Sequence, residues 1–250
     1  MRIFKINAGI AALLSLCFFV ITSSCNPDEE VGPEEVNDIP RDGLVAFYPF
    51  NGNFNDESGV GDSAAHLVNN GGSLTTDRYG NPNSAYSANF NEYLVANNGK
   101  FEFESDFTIS VWVKSERNEE NKNTEIFVYN NGYELGYLAD FINKYNCVID
   151  DYKIVESNEY DNPTDWHHVC FSYQANNRET KIYVDGVLNA SKIHGEGRVA
   201  IRTSEIYFFG GELYYFPYVK FNGQGDDIAV YNRLLTVNEV KQLFNQEITK

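Results

Sequence analysis

Short runs in which apolar and polar side chains alternate, each closed by a cluster of turn residues, set the main constraint on this chain. In "FTISVWVK" (107–114), Phe107, Ile109, Val111 and Val113 point one way, and Thr108, Ser110, Trp112 and Lys114 point the other. The runs "EIFVYN" (125–130), "HHVCFSYQ" (167–174), "TKIYVDGV" (180–187) and "EIYFFGG" (205–211) share this period and are rich in β-branched and aromatic residues. "YNNG", "QANN" and "VDG" separate them as turns. Many short strands joined by Asn/Gly turns predict an all-β sandwich or barrel. Residues 41–250 contain no linker and no internal repeat, so they read as one domain.

Only the end of the chain has a helical period. "LTVNEVKQLFNQ" places Thr236 three residues before Glu239, a capping box, and Val237, Val240, Leu243 and Phe244 fall on one stripe. The expected task of this helix is to cover a sheet. Two body cysteines, Cys147 and Cys170, lie in strand-like runs. A bridge between them would stabilise by about 3 kcal/mol; the alternative is two buried thiols acting as small hydrophobes.

Residues 1–24 read as a secretory signal. Arg2 and Lys5 precede the apolar "AGIAALLSLCFFVIT", which is short for a membrane span. Thr22, Ser23 and Ser24 then lead into Cys25, and this box resembles the cleavage site of bacterial lipoproteins, which implies a lipid on Cys25. Residues 25–40 hold six acidic residues before the first basic one and little apolar surface, so they read as a flexible tether. An acidic patch behind a lipidated cysteine resembles the export signal of surface-exposed outer-membrane lipoproteins. The formal charge is −17, and loss of Arg2 and Lys5 makes the mature chain more acidic still. Nothing here can neutralise a phosphate backbone, which excludes nucleic acid as a partner. Densely sulfated glycans are disfavoured on the same ground.

Four segments in order, "GLVAFYPFNGNFNDESG", "FTISVWVK", "WHHVCFSYQANNRETKIYVDGVL" and "FNGQGDDIAVYNRLLTVNEVKQLF", resemble the laminin-G-like jelly roll of bacterial secreted proteins, within the concanavalin A-like lectin/glucanase group. The resemblance implies two curved antiparallel sheets, with the short C-terminal helix added. It implies a module that binds glycans or proteins, in many cases with calcium. In related jelly rolls a calcium ion ties the loop after the first strand to the last strand. The matching pieces here are "NGNFND" (51–56) and "GDDIAVY" (225–231), so Asp56 and Asp226 are the first ligand candidates, with Asn51, Asn53 and Asp227 behind them. The competing reading of the same residues is ordinary turn chemistry and solvated strand ends.

A second candidate is "FFGGELYYFPYVKFNGQ" (208–224), where Tyr214, Tyr215 and Tyr218 are the members expected to be exposed and able to stack on sugar rings. Alternation assigns about half of this stretch to the core. An enzyme reading finds little support. Glu102, Glu104 and Asp106 lead into a strand where the family has no active site, and "VIDDYKIVE" (148–156) lacks the leading Glu of a glucanase pair. No nucleophilic or acidic partner can be placed beside His167 or His168 from the sequence, and the four histidines lack zinc-ligand spacing. The expectation is a lipid-anchored, non-catalytic glycan-binding module at the cell surface. The alternative is an adhesion or assembly protein that binds another protein, and a glycan-cleaving enzyme comes a distant third.

Overall fold

A computed structural model of the chain describes residues 39–60, 66–96, 101, 105–116, 123–130, 135–141, 143–149, 153–162, 164–195, 206–211 and 220–246. They belong to one compact unit, residues 36–250. The strands in chain order are β1 (Leu44–Tyr48), β2 (Val68–Asn70), β3 (Ser73–Thr75), β4 (Ala85–Asn89), β5 (Tyr93–Ala96) and β6 (Phe107–Ser115). Next come β7 (Asn123–Asn130), β8 (Leu135–Phe141), β9 (Tyr145–Ile149), β10 (Lys153–Glu156) and β11 (His167–Gln174). The chain continues with β12 (Glu179–Val184), β13 (Val187–Ile193), β14 (Ile206–Phe208), β15 (Asn222–Tyr231) and the helix α1 (Val237–Asn245).

Two antiparallel sheets form. Sheet 1 runs β13-β12-β11-β6-β15-β4-β3, with β1 also paired to β15; sheet 2 runs β10-β9-β8-β7-β14-β5-β2. The chain crosses between sheets repeatedly, as a jelly roll does, so neighbours in sheet 1 such as β6 and β15 are distant in sequence. The alternation in β6 sorts its residues as expected. Phe107, Ile109, Val111 and Val113 join the core between the sheets, with Phe127, Phe171, Phe208 and Phe209. The opposite face of β6 is also covered, because α1 lies on it. There Cys170, Tyr183, Ala229 and Tyr231 pack with Leu235, Val240 and Leu243 in a second, smaller core.

The helix starts at the capping box: Glu239 N donates to Thr236 Oγ1, and Thr236 N donates to the Glu239 carboxylate at 2.7 Å. Val240 and Leu243 are buried, and Phe244 stacks on Trp112 with ring centroids 5.6 Å apart. Val237, expected on the apolar stripe, is 48% exposed; it sits in the first turn, before the helix reaches the sheet. Ile39 is buried in the helix-side core, so packed structure begins ahead of the expected boundary at 41.

Cys147 and Cys170 are both free, buried thiols. Cys147 points into the core between the sheets and Cys170 into the core under α1. The two side chains therefore occupy different layers, and of the two readings open in the sequence this is the unbridged one. Burial pushes both thiols well above the usual cysteine range.

Candidate functional site

β15 changes neighbours midway along its length, and two of the calcium candidates, Asp226 and Asp227, sit at that change. On one edge it pairs with β4 over 222–225 and with β1 over 228–231. Its pairing with β6 on the other edge is interrupted between Asp226 and Ala229, where Asp227 takes a left-handed φ of 47°. A bulge in mid-strand turns two successive acidic side chains into the protein. Asp226 is 0% exposed and Asp227 6%.

A cation does meet them, and it is Arg78. Its Nη1 lies 2.8 Å from Asp226 Oδ2 and 2.7 Å from Asp227 Oδ2. The turn between β3 and β4 holds Arg78 in place: the Asp77 carboxylate accepts from the backbone N–H groups of Tyr79 and Asn81 and from the Asn81 amide. The guanidinium lies between the Tyr79 ring at 4.5 Å and the Trp112 ring at 4.3 Å. Burial works against its charge, and the Asp227 and Asp226 carboxylates more than offset that, raising its pKa further.

Of the other calcium candidates, Asp56 and Asn53 are engaged elsewhere, while Asn51 offers its backbone carbonyl to Asn53 and keeps its side-chain oxygen buried without a hydrogen-bond partner among the described residues. Asp56 Oδ1 accepts from Phe47 N at 3.0 Å and Ser58 N at 2.8 Å, pinning the loop back onto β1. Asn53 spans its own turn, donating to the Asn51 carbonyl and accepting from Asn55 N. Among the described residues no three His, Cys, Asp or Glu side chains gather as a metal-ligand group. Calcium needs six to eight oxygens. The residues present do not fit that requirement as arranged: Asp56 is not brought to Asp226 and Asp227, and these two already face a positive charge. In the opening turn, Asp56 and Asn53 use their side-chain oxygens to close the loop on its own backbone.

The two histidines do have partners, which the sequence spacing could not supply. His168 Nε2 lies 2.7 Å from Ser110 Oγ across the β11–β6 pairing. Both are buried, and the His168 ring packs against Trp112 and Phe244. Burial, with Arg78 adding to it and Asp185 opposing, lowers His168 to about 3 and keeps it neutral. His167 instead pairs with Asp185 of the β12–β13 turn, Nδ1 to Oδ2 at 2.9 Å.

The outer face of sheet 2 has a different character. Its inner face carries Leu94, Phe208, Phe127, Cys147 and Val155 along one cross-strand row that spans six strands, from β5 to β10. One residue along, the pleat turns the next cross-strand row to the other face: Val68, Val95 and Tyr207. Tyr93 shares this face and meets Tyr207 edge-on, centroids 5.6 Å apart at 66°. Both tyrosines are half-buried and Val68 is 52% exposed.

Tyr214, Tyr215 and Tyr218 lie outside the described residues. The residues flanking them converge on this part of sheet 2. Gly211 lies against Tyr207, where a Cβ would come within 3.1 Å of that side chain. Lys220 N donates to the Glu125 carboxylate at 2.8 Å, while Gly210 N donates to the Glu125 carbonyl at 2.9 Å. Sequence reasoning missed Tyr93 and Tyr207. The signal was present in "EIYFFGG": with Ile206 and Phe208 inward, Tyr207 has to face outward.

The laminin-G-type model of the concanavalin A-like lectin/glucanases superfamily matches residues 87–241, more than half of the chain. The chain belongs to that superfamily. No curated protein sequence matches it. Among solved structures, domain 4 of AbnA, a GH43 extracellular arabinanase from Geobacillus stearothermophilus in complex with arabinotriose, is similar with a TM-score of 0.63 at 19% identity, covering 81% of this chain and 98% of that one. The botulinum neurotoxin serotype G binding domain is similar with a TM-score of 0.60 at 17% identity, covering 80% of this chain and 50% of that one. The serotype D ligand-binding domain in complex with N-acetylneuraminic acid gives 0.62 at 13% identity, covering 84% and 52%. The chain thus spans about half the length of the neurotoxin domains and nearly all of the arabinanase domain. At these identities the likeness establishes the fold, a jelly roll of this superfamily.

Proposed function

We propose that the chain is a non-catalytic glycan-binding module, lipid-anchored at Cys25 and displayed at the cell surface, with its sugar contacts on the outer face of sheet 2. The observation that carries this reading is the Tyr93–Tyr207 pair, set edge to face on the sheet that α1 does not cover. Two rings at an angle offer one stacking face and one rim to a sugar, whose C–H face packs on an aromatic ring while its hydroxyls reach the phenols. Tyr214, Tyr215 and Tyr218, which lie outside the described residues, are candidates for further sugar contacts. The complexes of the similar folds with arabinotriose and with N-acetylneuraminic acid support a carbohydrate as the ligand class.

A glycan array with the mature chain tests this. Tyr93→Ala and Tyr207→Ala should each weaken the strongest hit by about 10-fold or more, the loss of roughly 1.4 kcal/mol of stacking. Their far-ultraviolet spectra should stay unchanged. A wild-type protein with no glycan hits would sink the reading and favour protein binding. That second reading has its own support: Val187, Leu188 and Ile193 are 62%, 47% and 66% exposed on β13, an edge strand of sheet 1. A reducing-end assay on any bound polysaccharide checks the non-catalytic part.

A further inference from the structure

The junction at β15 holds two carboxylates side by side in a buried position. Two adjacent acids out of water cannot both stay ionised unless a positive charge meets them. One nitrogen, Arg78 Nη1, lies within 2.8 Å of an oxygen from each, with the Arg78, Asp226 and Asp227 side chains 5%, 0% and 5% exposed. The same guanidinium reaches further. Its Nη2 lies 3.5 Å from the Gln246 carbonyl at the end of α1, and Tyr79 Oη donates to that oxygen at 2.6 Å. The C-terminal end of a helix carries partial negative charge, so a cation there is favoured again. Its flat face is covered by Trp112, which stacks in turn on Phe244 of α1.

We propose that Arg78 is the built-in counter-ion of this jelly roll: its guanidinium fills the position between Asp226 and Asp227 that a divalent cation would take, and ties β15, β6, the β3–β4 turn and α1 together without metal. Two consequences follow. The wild-type protein gains nothing from calcium at this junction. Removal of the guanidinium leaves two buried carboxylates and the Gln246 carbonyl around the vacated space; with water entering to complete the six to eight oxygens that calcium takes, an Arg78→Ala protein becomes a calcium binder. This inference stands apart from glycan binding and holds whatever the ligand is.

Thermal melts of the full chain and its variants, in calcium and in EDTA, provide the test. Wild type should melt at one temperature in both. Arg78→Ala should melt about 10 °C or more lower in EDTA, since breaking a buried pair costs several kcal/mol. Calcium should restore at least half of that loss, and Asp226→Asn in the Arg78→Ala background should remove the calcium response. A wild-type melt lowered by EDTA, with that sensitivity lost in Asp226→Asn, overturns the proposal by placing an ion at this junction. A chelator effect that survives Asp226→Asn places the ion elsewhere, and the Arg78 variants then decide. Arg78→Met with a wild-type melt and no calcium response also overturns it. Should Arg78→Ala fail to fold, the triple variant Arg78→Met, Asp226→Asn, Asp227→Asn removes every charge from the junction. Recovery of a cooperative melt in that protein supports the counter-ion role, and failure to recover rejects it.

Discussion

His167 offers both ring nitrogens to oxygen acceptors. Nδ1 faces the Asp185 carboxylate at 2.9 Å and Nε2 faces the Asn162 carbonyl at 3.1 Å. A neutral imidazole has one N–H, so only the imidazolium donates to both. Burial opposes that charge, but the bonds to Asp185 and Asn162 and the nearby Asp165 outweigh it and raise the His167 pKa. The tie to the loop before β11 is therefore fully present below the unfolded histidine value of about 6.5 and is lost as pH rises through the raised folded value. His168, one residue on, works in reverse. It stays neutral in the fold down to about 3, so below about pH 6.5 the unfolded chain takes up a proton that the folded one refuses. Stability then falls by about 1.4 kcal/mol per pH unit from this group alone. Urea unfolding at a series of pH values separates the two. His167→Gln should flatten the loss above about pH 6.5, and His168→Gln should flatten part of the loss below it. An unchanged acid slope in His168→Gln would contradict the burial argument. Neither role was legible in "WHHVC", because the partners Ser110, Asn162 and Asp185 arrive through strand register and a turn.

At the scale of elements, long alternating runs were legible and short ones were not. β6 and β11 match "FTISVWVK" and "HHVCFSYQ" nearly to the residue, since their apolar faces fill the inter-sheet core. The strands β2, β3 and β5 are three or four residues long and carry too little periodicity to identify alone. "FNGQGDD" shows what a motif hides until sheets are stacked. Gly225 of β15 lies under Phe209 from the end of β14, and a Cβ there would come within 1.8 Å of the ring. Phe209 is fully buried against Phe221 and Tyr86 and cannot move aside. Gly225 thus sets how closely the two sheets approach at this point. Gly225→Ala should cost about 2–4 kcal/mol by overpacking and lower the melting temperature by about 5–15 °C. Gly195, where a Cβ meets nothing within 4 Å, is the matched control and should tolerate Ala within about 0.5 kcal/mol. Equal melts for the two variants would mean that the sheets adjust their spacing freely.

For the whole molecule, fold and site were legible to different degrees for a physical reason. Alternation and turn chemistry are local, so two sheets, a covering helix and the superfamily could be read from the chain. A site is a meeting of distant segments. Asp226 and Asp227 were visible, but their partner Arg78 is brought to them by the β3–β4 turn, and Tyr93 meets Tyr207 only because β5 pairs with β14. The same division governs placement in the cell, where the folded unit carries the face proposed to bind sugars and the proposed address lies in residues 1–40. Among the described residues no helix is long and apolar enough to cross a membrane. The attachment proposed here runs through Cys25. In cells making the full chain, the protein should sediment with membranes, incorporate labelled fatty acid and be stripped from intact cells by external protease. Cys25→Ser should lose the label and shift to the soluble fraction while keeping the wild-type melt. Labelling that persists in Cys25→Ser would move the anchor elsewhere. A protein shielded from protease on intact cells would instead leave its tyrosine face turned away from the glycans it is proposed to bind.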